Sequence, residues 1–127
     1  MSLDMRKQDD VVILTPKGLL LGGPETDELQ EKITDLDRAG NRKLLLNLGK
    51  TTFTSSMGLA VLFRAHTSYA QRGATVKICS VDRRIKQIFV LVKLGLVYGD
   101  DVHDNEEEAL ATFRNVIAEK SAGAVST

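Results

Sequence analysis

Tryptophan is absent from this 127-residue chain, and tyrosine and phenylalanine bring the aromatic share to only 5%. That leaves too few flat side chains for a stacking platform on single-stranded nucleic acid. An excess of one charge is missing too: 17 Lys and Arg balance 17 Asp and Glu, for a formal net charge of zero. A neutral chain has no overall electrostatic pull toward nucleic acid or an anionic membrane, although Arg83, Arg84 and Lys86 form a local basic cluster. The single cysteine, Cys79, can close no internal disulfide and builds no thiol-rich metal site. Set in the apolar run from Val76 to Val81, it reads as a small buried hydrophobe. No apolar stretch approaches the roughly 18 residues that a membrane span needs. The N-terminus shows no basic stretch leading into an apolar one, so no signal peptide is expected and the cytoplasm is the expected location. A second methionine, Met5, makes Met1-Ser2-Leu3 read as residues added ahead of a natural start.

Catalytic signatures are equally scarce. No Gly-x-Gly-x-x-Gly follows a strand, no phosphate-binding Gly-Lys-Ser/Thr occurs, and there is no Gly-x-Ser-x-Gly elbow. Of the two histidines, His66 reads as half-buried packing or surface on a helix face. His103 lies among Asp100, Asp101 and Asp104 at a spacing that matches no metal-ligand template, and reads as part of a solvated acidic loop. With no acid-base or nucleophile-base pair in view, no catalytic residue, metal or cofactor is expected, and the chain is not read as an enzyme.

What is present is an alternation of strand and helix signals in a length suited to one domain. Residues 1–10 read as a tail, 11–120 as the domain and 121–127 as a flexible, frayed end. Val11-Val12-Ile13-Leu14 reads as a strand ending at Thr15-Pro16, and Leu19-Leu20-Leu21 as a second one making a leading hairpin with it. Gly22-Gly23-Pro24 opens a helix with proline suited to its first position, and Glu25, Asp27 and Glu28 sit where the helix dipole favours negative charge. Leu29, Ile33 and Leu36 form its apolar face, and Gly40-Asn41 ends it. Leu44 to Leu48 is the near-continuous apolar run of a strand covered on both faces. Gly49 to Ser56 reads as a polar loop, Met57 to Arg72 as a helix closed by Gly73, and Val76 to Val81 as a strand. Asp82 caps a third helix that ends at Gly95, Leu96-Val97-Tyr98 is a last short strand, and Asp104 with Glu107 makes a capping box for a helix to about Lys120. The expected fold class is α/β, a mixed sheet of about five strands covered by about four helices, with parallel middle strands.

The segment Phe53-Thr54-Ser55-Ser56-Met57-Gly58-Leu59 joins the central strand to the second helix and places two hydroxyls at a helix N-terminus. Ser55 or Ser56 serves there as a cap worth about 1 kcal/mol. A serine at that point also suits phosphorylation, because a phosphate meets free backbone N–H groups and the positive end of the helix dipole. The two roles are compatible.

At this segment the chain resembles the STAS-domain family of bacterial anti-sigma factor antagonists. The resemblance runs from about Val11 to Phe113. Phe53 to Leu59 is similar to the family's aromatic-x-Asp-Ser-Ser/Thr-Gly-Leu, and Leu94-Gly95-Leu96 is similar to its closing turn. Aligned without a gap, the family's phosphorylated serine falls on Ser56. Ser55 stands where the family has Asp, and Met57 where it has Ser or Thr. Gly18-Leu19-Leu20-Leu21 lies where the family often has Gly-Glu-Leu/Ile-Asp, so two acidic positions near the partner surface are absent.

The resemblance implies an anti-sigma factor antagonist. Its partners would be an anti-sigma factor with ATP-dependent serine kinase activity and a serine phosphatase that resets the switch. It implies Ser56 as phosphoacceptor, with Ser55 as cap or secondary acceptor, and Met57, Gly58 and Leu59 as packing or partner-binding residues. Gly22, Gly23, Thr26 and Asp27 would form the rim. A monomer or weak dimer is expected, binding neither nucleic acid nor membrane. The alternatives are a non-phosphorylated STAS scaffold or partner subunit of a signalling or transport complex and, from another class, a small-ligand binder or enzyme using the Gly22-Gly23 turn and the Ser55-Ser56 loop.

Overall fold

Val11, Val12, Ile13 and Leu14 are all buried, so the strand they form must be covered on both faces. It lies second in a five-stranded mixed sheet. The computed structural model describes residues 3–91 and 98–113. The sheet contains β1 (Leu3–Gln8), β2 (Val11–Pro16), β4 (Lys43–Asn47), β6 (Thr75–Cys79) and β7 (Val102–His103), in that spatial order. β1 is antiparallel to β2, and all the other neighbours are parallel. A small parallel pair, β3 (Gly18–Leu20) and β5 (Thr51–Thr54), stands apart from it.

Strand periodicity of two sorts the side chains into two cores. Val12, Leu14, Leu44, Leu46, Val76 and Ile78 face the larger one. There they meet Leu29 and Ile33 of α1 (Pro24–Arg38), Leu59, Leu62, Ala65 and Tyr69 of α2 (Ser56–Gln71), and Ile85 of α3 (Arg83–Leu91). The alternate residues Val11, Ile13, Leu45 and Cys79 face the other core, closed by Ala109, Leu110 and Phe113 of α4, which covers 106–113. Lys77 shares that second face, and its buried ammonium lies 3.0 Å from Asp101 and 5.3 Å from the centre of the Phe113 ring. The α/β class and the mixed five-stranded sheet match the expectation.

Several elements differ from their sequence reading. Residues 3–8, within the stretch read as a tail, are strand β1, joined to β2 by a two-residue turn with Asp9 at φ 56°. The expected hairpin between residues 11–14 and 19–21 is absent, because β2 pairs with β1 and β3 pairs with β5. The polar loop from Gly49 to Ser56 contains β5, whose inward Thr51 and Thr54 donate to the carbonyls of Pro16 and Leu20 and so satisfy their own hydroxyls. The last sheet position belongs to Val102–His103, after a 3₁₀ turn at Gly99–Asp101. Of the strand expected at Leu96-Val97-Tyr98, residues 96 and 97 lie outside the described residues, and Tyr98 is helical. At α4 the cap is Asn105, whose Oδ1 accepts from Glu108 N at 2.9 Å, rather than Asp104. The expected helix end near Lys120 and the tail at 121–127 lie outside the described residues, as does the closing turn at Leu94-Gly95-Leu96. Asp82 caps α3 as expected, its Oδ1 accepting from Arg84 N at 2.6 Å.

Candidate functional site

The start of α2 is built from the inside outward. Gly58 is buried against β3: a Cβ there would lie 2.2 Å from Thr54 Oγ1 and 2.8 Å from the Leu20 carbonyl oxygen. Only glycine lets the helix approach so closely. Ser55, in extended conformation, is the N-cap. Its backbone N–H donates to the Leu20 carbonyl at 2.9 Å and its hydroxyl to the same oxygen at 3.2 Å. Its Oγ also accepts from Met57 N at 3.3 Å. One serine is thus consumed in fastening the helix to β3. The next, Ser56, is exposed, and among the described residues its hydroxyl has no protein partner.

Around Ser56 lies an apolar ledge. Leu19 and Phe53 are register partners across the β3·β5 pair and both face solvent, 49% and 46% exposed, while their neighbours Leu20 and Thr54 point inward. Leu21, two residues on from Leu19, is 50% exposed, and Met57 is 60% exposed. The Met57 side chain lies over Gly22, where a Cβ would come within 2.6 Å of its Sδ. Gly22 has φ +93° and donates its N–H to Thr26 Oγ1 at 2.9 Å, which braces the turn into α1. The two positions at which the family often carries acids are therefore half-exposed leucines.

Among the residues singled out from sequence, Ser55, Ser56, Met57, Gly22 and Gly23 come together at this turn. Leu59, 5% exposed, belongs to the core, and Gly58 is likewise interior, so neither offers a surface to a partner. Thr26 is buried at 4% and serves the turn rather than the rim. Asp27 is exposed in the first turn of α1. Leu19, Leu21 and Phe53 were not anticipated as exposed. Three successive leucines carry no alternation in the sequence, and their sides are readable only once α2 is known to cover the Leu20 side of the β3·β5 pair.

The histidines stand apart from the ledge. His66 Nε2 is 3.1 Å from Asp101 Oδ2, and its ring meets Tyr98 edge-on at 4.5 Å. His103 is 3.2 Å from Thr112 Oγ1. Burial and the nearby Lys77 hold its pKa below the ordinary imidazole value, against the opposing pull of Asp101, Glu108 and Asp104. His103 is therefore a half-buried strand residue beside α4 rather than part of a solvated acidic loop. No group of three or more His, Cys, Asp or Glu placed to hold a metal occurs among the described residues, and no described helix is long and apolar enough to cross a membrane. Burial also pushes the Cys79 thiol up to about 11, so it stays protonated at neutral pH.

The STAS domain model matches residues 2–109. The chain belongs to the STAS domain family. A protein of Bordetella bronchiseptica named as an anti-sigma factor antagonist, BtrV, is 22% identical over 117 residues, covering 92% of this chain and 98% of that one. Among solved structures, one described as an anti-sigma factor antagonist of Thermotoga maritima superposes with TM-score 0.81 at 22% identity, covering 88% of this chain and 94% of the other. The Bacillus cell fate determinant SpoIIAA, solved in its phosphorylated form, superposes with TM-score 0.70 at 15% identity over 87% and 98% of the two chains. At these identities the structural likeness fixes the fold, and the function of this STAS domain must be argued from its own site.

Proposed function

We propose that this STAS domain is an anti-sigma factor antagonist switched at Ser56. Unmodified, it binds an anti-sigma factor that is also an ATP-dependent serine kinase, and sigma-factor-dependent transcription follows. Phosphorylated at Ser56 it lets go, and a serine phosphatase restores it. The chain is then the kinase's substrate, works in the cytoplasm and catalyses nothing itself.

The observation that carries this reading is the division of labour between the two serines. Ser55 is occupied as cap, while Ser56 presents a free hydroxyl at the helix N-terminus beside an apolar ledge. A kinase needs an accessible hydroxyl, and the helix start tolerates the charge that follows. Phosphorylation adds about −1.5 to −2 charges. In the free chain that charge is solvated. In a complex that covers the ledge it must be desolvated against apolar side chains, so the complex is the state that loses. Moving a population from almost all bound to almost all free takes about 5.5 kcal/mol of differential affinity, which is within reach of a desolvated dianion. The relatives named as antagonists support the same reading.

Affinity capture from the source cell's lysate, with wild type, Ser56→Ala and Ser56→Asp as baits and mass spectrometry as readout, tests it. Wild type and Ser56→Ala are expected to retain an ATP-binding anti-sigma kinase that Ser56→Asp does not. Identical capture by all three baits, or no kinase at all, would reduce Ser56 to a surface residue beside the cap and favour a STAS scaffold.

A further inference from the structure

Three methionines occur in the chain, and Met1 lies outside the described residues. Met5, on the edge strand β1, is 54% exposed. Met57 is 60% exposed, the highest value among the large apolar side chains described. It follows Ser56 in the first turn of α2, and its side chain crosses to the turn that leads into α1. A Cβ on Gly22 would lie 2.6 Å from Met57 Sδ, 3.2 Å from its Cβ and 3.4 Å from its Cε, so the side chain is laid along the bare glycine backbone. Met57 is thus a clasp between two helix starts, with its sulfur against backbone and much of its side chain in water.

We propose that Met57 is a modification site, oxidised to its sulfoxide by hydrogen peroxide, and that this opens the clasp on Gly22 and lowers partner binding with no change at Ser56. A lone pair on Sδ attacks one oxygen of the peroxide, and the S–O bond forms as the O–O bond breaks. The departing hydroxide takes the proton of the transferred oxygen and leaves as water. The sulfur loses two electrons and the peroxide gains them. A thioether is soft and apolar and fills an irregular gap, whereas a sulfoxide is polar and accepts hydrogen bonds. The Gly22 N–H is already given to Thr26 Oγ1 at 2.9 Å, so it is not free for the new oxygen. That oxygen turns to water, and the side chain leaves the glycine. Cys79 does not compete for the oxidant, because its thiol is buried and stays protonated.

The functional half of this inference rests on the Ser56 reading. Met57 is the next residue in the chain, so a partner that closes over the Ser56 hydroxyl meets the Met57 side chain as well. A sulfoxide oxygen trapped there gives up its water, and an unmet acceptor in an interface weakens binding about tenfold. The mark is reversible, since methionine sulfoxide reductases, one for each epimer, restore the thioether. The chain then carries two off-signals on adjacent residues, a phosphate on the Ser56 hydroxyl and an oxygen on the Met57 sulfur.

The test treats the full chain with hydrogen peroxide, removes the oxidant and maps sulfoxide by peptide mass spectrometry. Met57 is expected to be oxidised, and the Gly22 amide to exchange its hydrogen several-fold faster once it is. Each bait of the lysate capture is then compared with itself before and after peroxide. Wild type and Met5→Leu are expected to lose about tenfold of the captured kinase. Met57→Leu should lose nothing to peroxide, and reductase treatment of the oxidised wild type should bring the kinase back. A Met57 that stays reduced while Met5 is oxidised would overturn the proposal. So would an unchanged Gly22 exchange, a capture that peroxide leaves as it was, or a Met57→Leu bait that peroxide weakens as much as wild type. If Met57→Leu captures poorly from the outset, Met5→Leu and the reductase still decide. Failure of the Ser56 reading shows in the untreated baits and takes the functional half with it, while amide exchange still decides the clasp. Failure of this proposal shows only after peroxide.

Discussion

Ser55 Oγ accepts the backbone N–H of Met57 at 3.3 Å, and that bond separates two adjacent serines that are chemically alike. Removing the Ser55 hydroxyl leaves an N-terminal donor of α2 without its partner and takes one of three donors from the Leu20 carbonyl. Ser55→Ala is expected to cost about 1 kcal/mol, the usual worth of a cap. Ser56→Ala, which touches no described partner, should stay within about 0.5 kcal/mol. Urea unfolding of the two variants checks the contrast, and equal losses would mean that the cap has been assigned to the wrong serine.

The central strands β2, β4 and β6 were legible because two-sided burial leaves a largely apolar run, as at Leu44-Leu45-Leu46. Helices α1 and α2 were legible from their period and their end signals. Strand β1 was not, since Asp4 to Gln8 are all exposed and carry no alternation. It is held by its ladder to β2 and by Arg6 on Glu106, a long-range ion pair that local sequence cannot announce. β5 was hidden for a related reason: its inward residues are threonines, which read as loop until the carbonyls that satisfy them are located. The pair Ser55-Ser56 could be singled out because a strand-to-helix junction with small residues is a local feature, and the resemblance to the family chose Ser56 between them. The ledge could not, because three successive leucines look buried until α2 is known to cover the Leu20 side of the β3·β5 pair.

Gly58 makes the next expectation unusual in sign. In an exposed helix, glycine to alanine stabilises by up to about 1 kcal/mol. Here the added methyl would lie 2.2 Å from Thr54 Oγ1 and 2.9 Å from Leu20 Cβ. Gly58→Ala is therefore expected to destabilise by about 1–3 kcal/mol, the range for overpacking a close-packed site. Thr54→Ala in the same chain removes one of the two obstacles and should recover part of the loss, since the Leu20 backbone remains. Chemical denaturation of the single and double variants measures both steps.

Lys77 tests the second core. Its side chain is 4% exposed, and its charge is answered by Asp101, which is 25% exposed and also holds His66. Truncating the carboxylate strands a buried ammonium, so Asp101→Ala is expected to cost about 3 kcal/mol, the lower end for a broken buried pair given the partial exposure of Asp101. Lys77→Met removes the charge and keeps the stem against Phe113. That variant should lie within about 1 kcal/mol of wild type, because the carboxylate it leaves behind is partly exposed and keeps His66 at 3.1 Å, whereas Asp101→Ala leaves the Lys77 charge unpaired and buried. If Lys77→Met proves as damaging as Asp101→Ala, the ion pair itself rather than its desolvation governs this part of the fold.

Glu106 ties stability to pH. Burial alone would raise its pKa, but the two bonds from Arg6, at 2.6 and 2.7 Å, the 2.8 Å bond from Asn47 and the Arg6 charge outweigh it and hold the carboxyl below its ordinary 4.5. A folded-state pKa below the unfolded one means that the unfolded chain takes up the proton more readily, so acid favours unfolding through this group. Its contribution is complete above about 4.5 and is lost as pH falls through the depressed folded value. Glu106→Gln cannot ionise, so the stability gap between wild type and this variant is expected to be widest at neutral pH and to narrow steadily below about pH 4.5. Thermal melts of the two chains across pH 3 to 7, roughly the range in which carboxylates titrate, read this directly. A gap that stays constant with pH would mean that Glu106 holds β1 against α4 by shape and hydrogen bonding alone, with its charge contributing nothing to the fold.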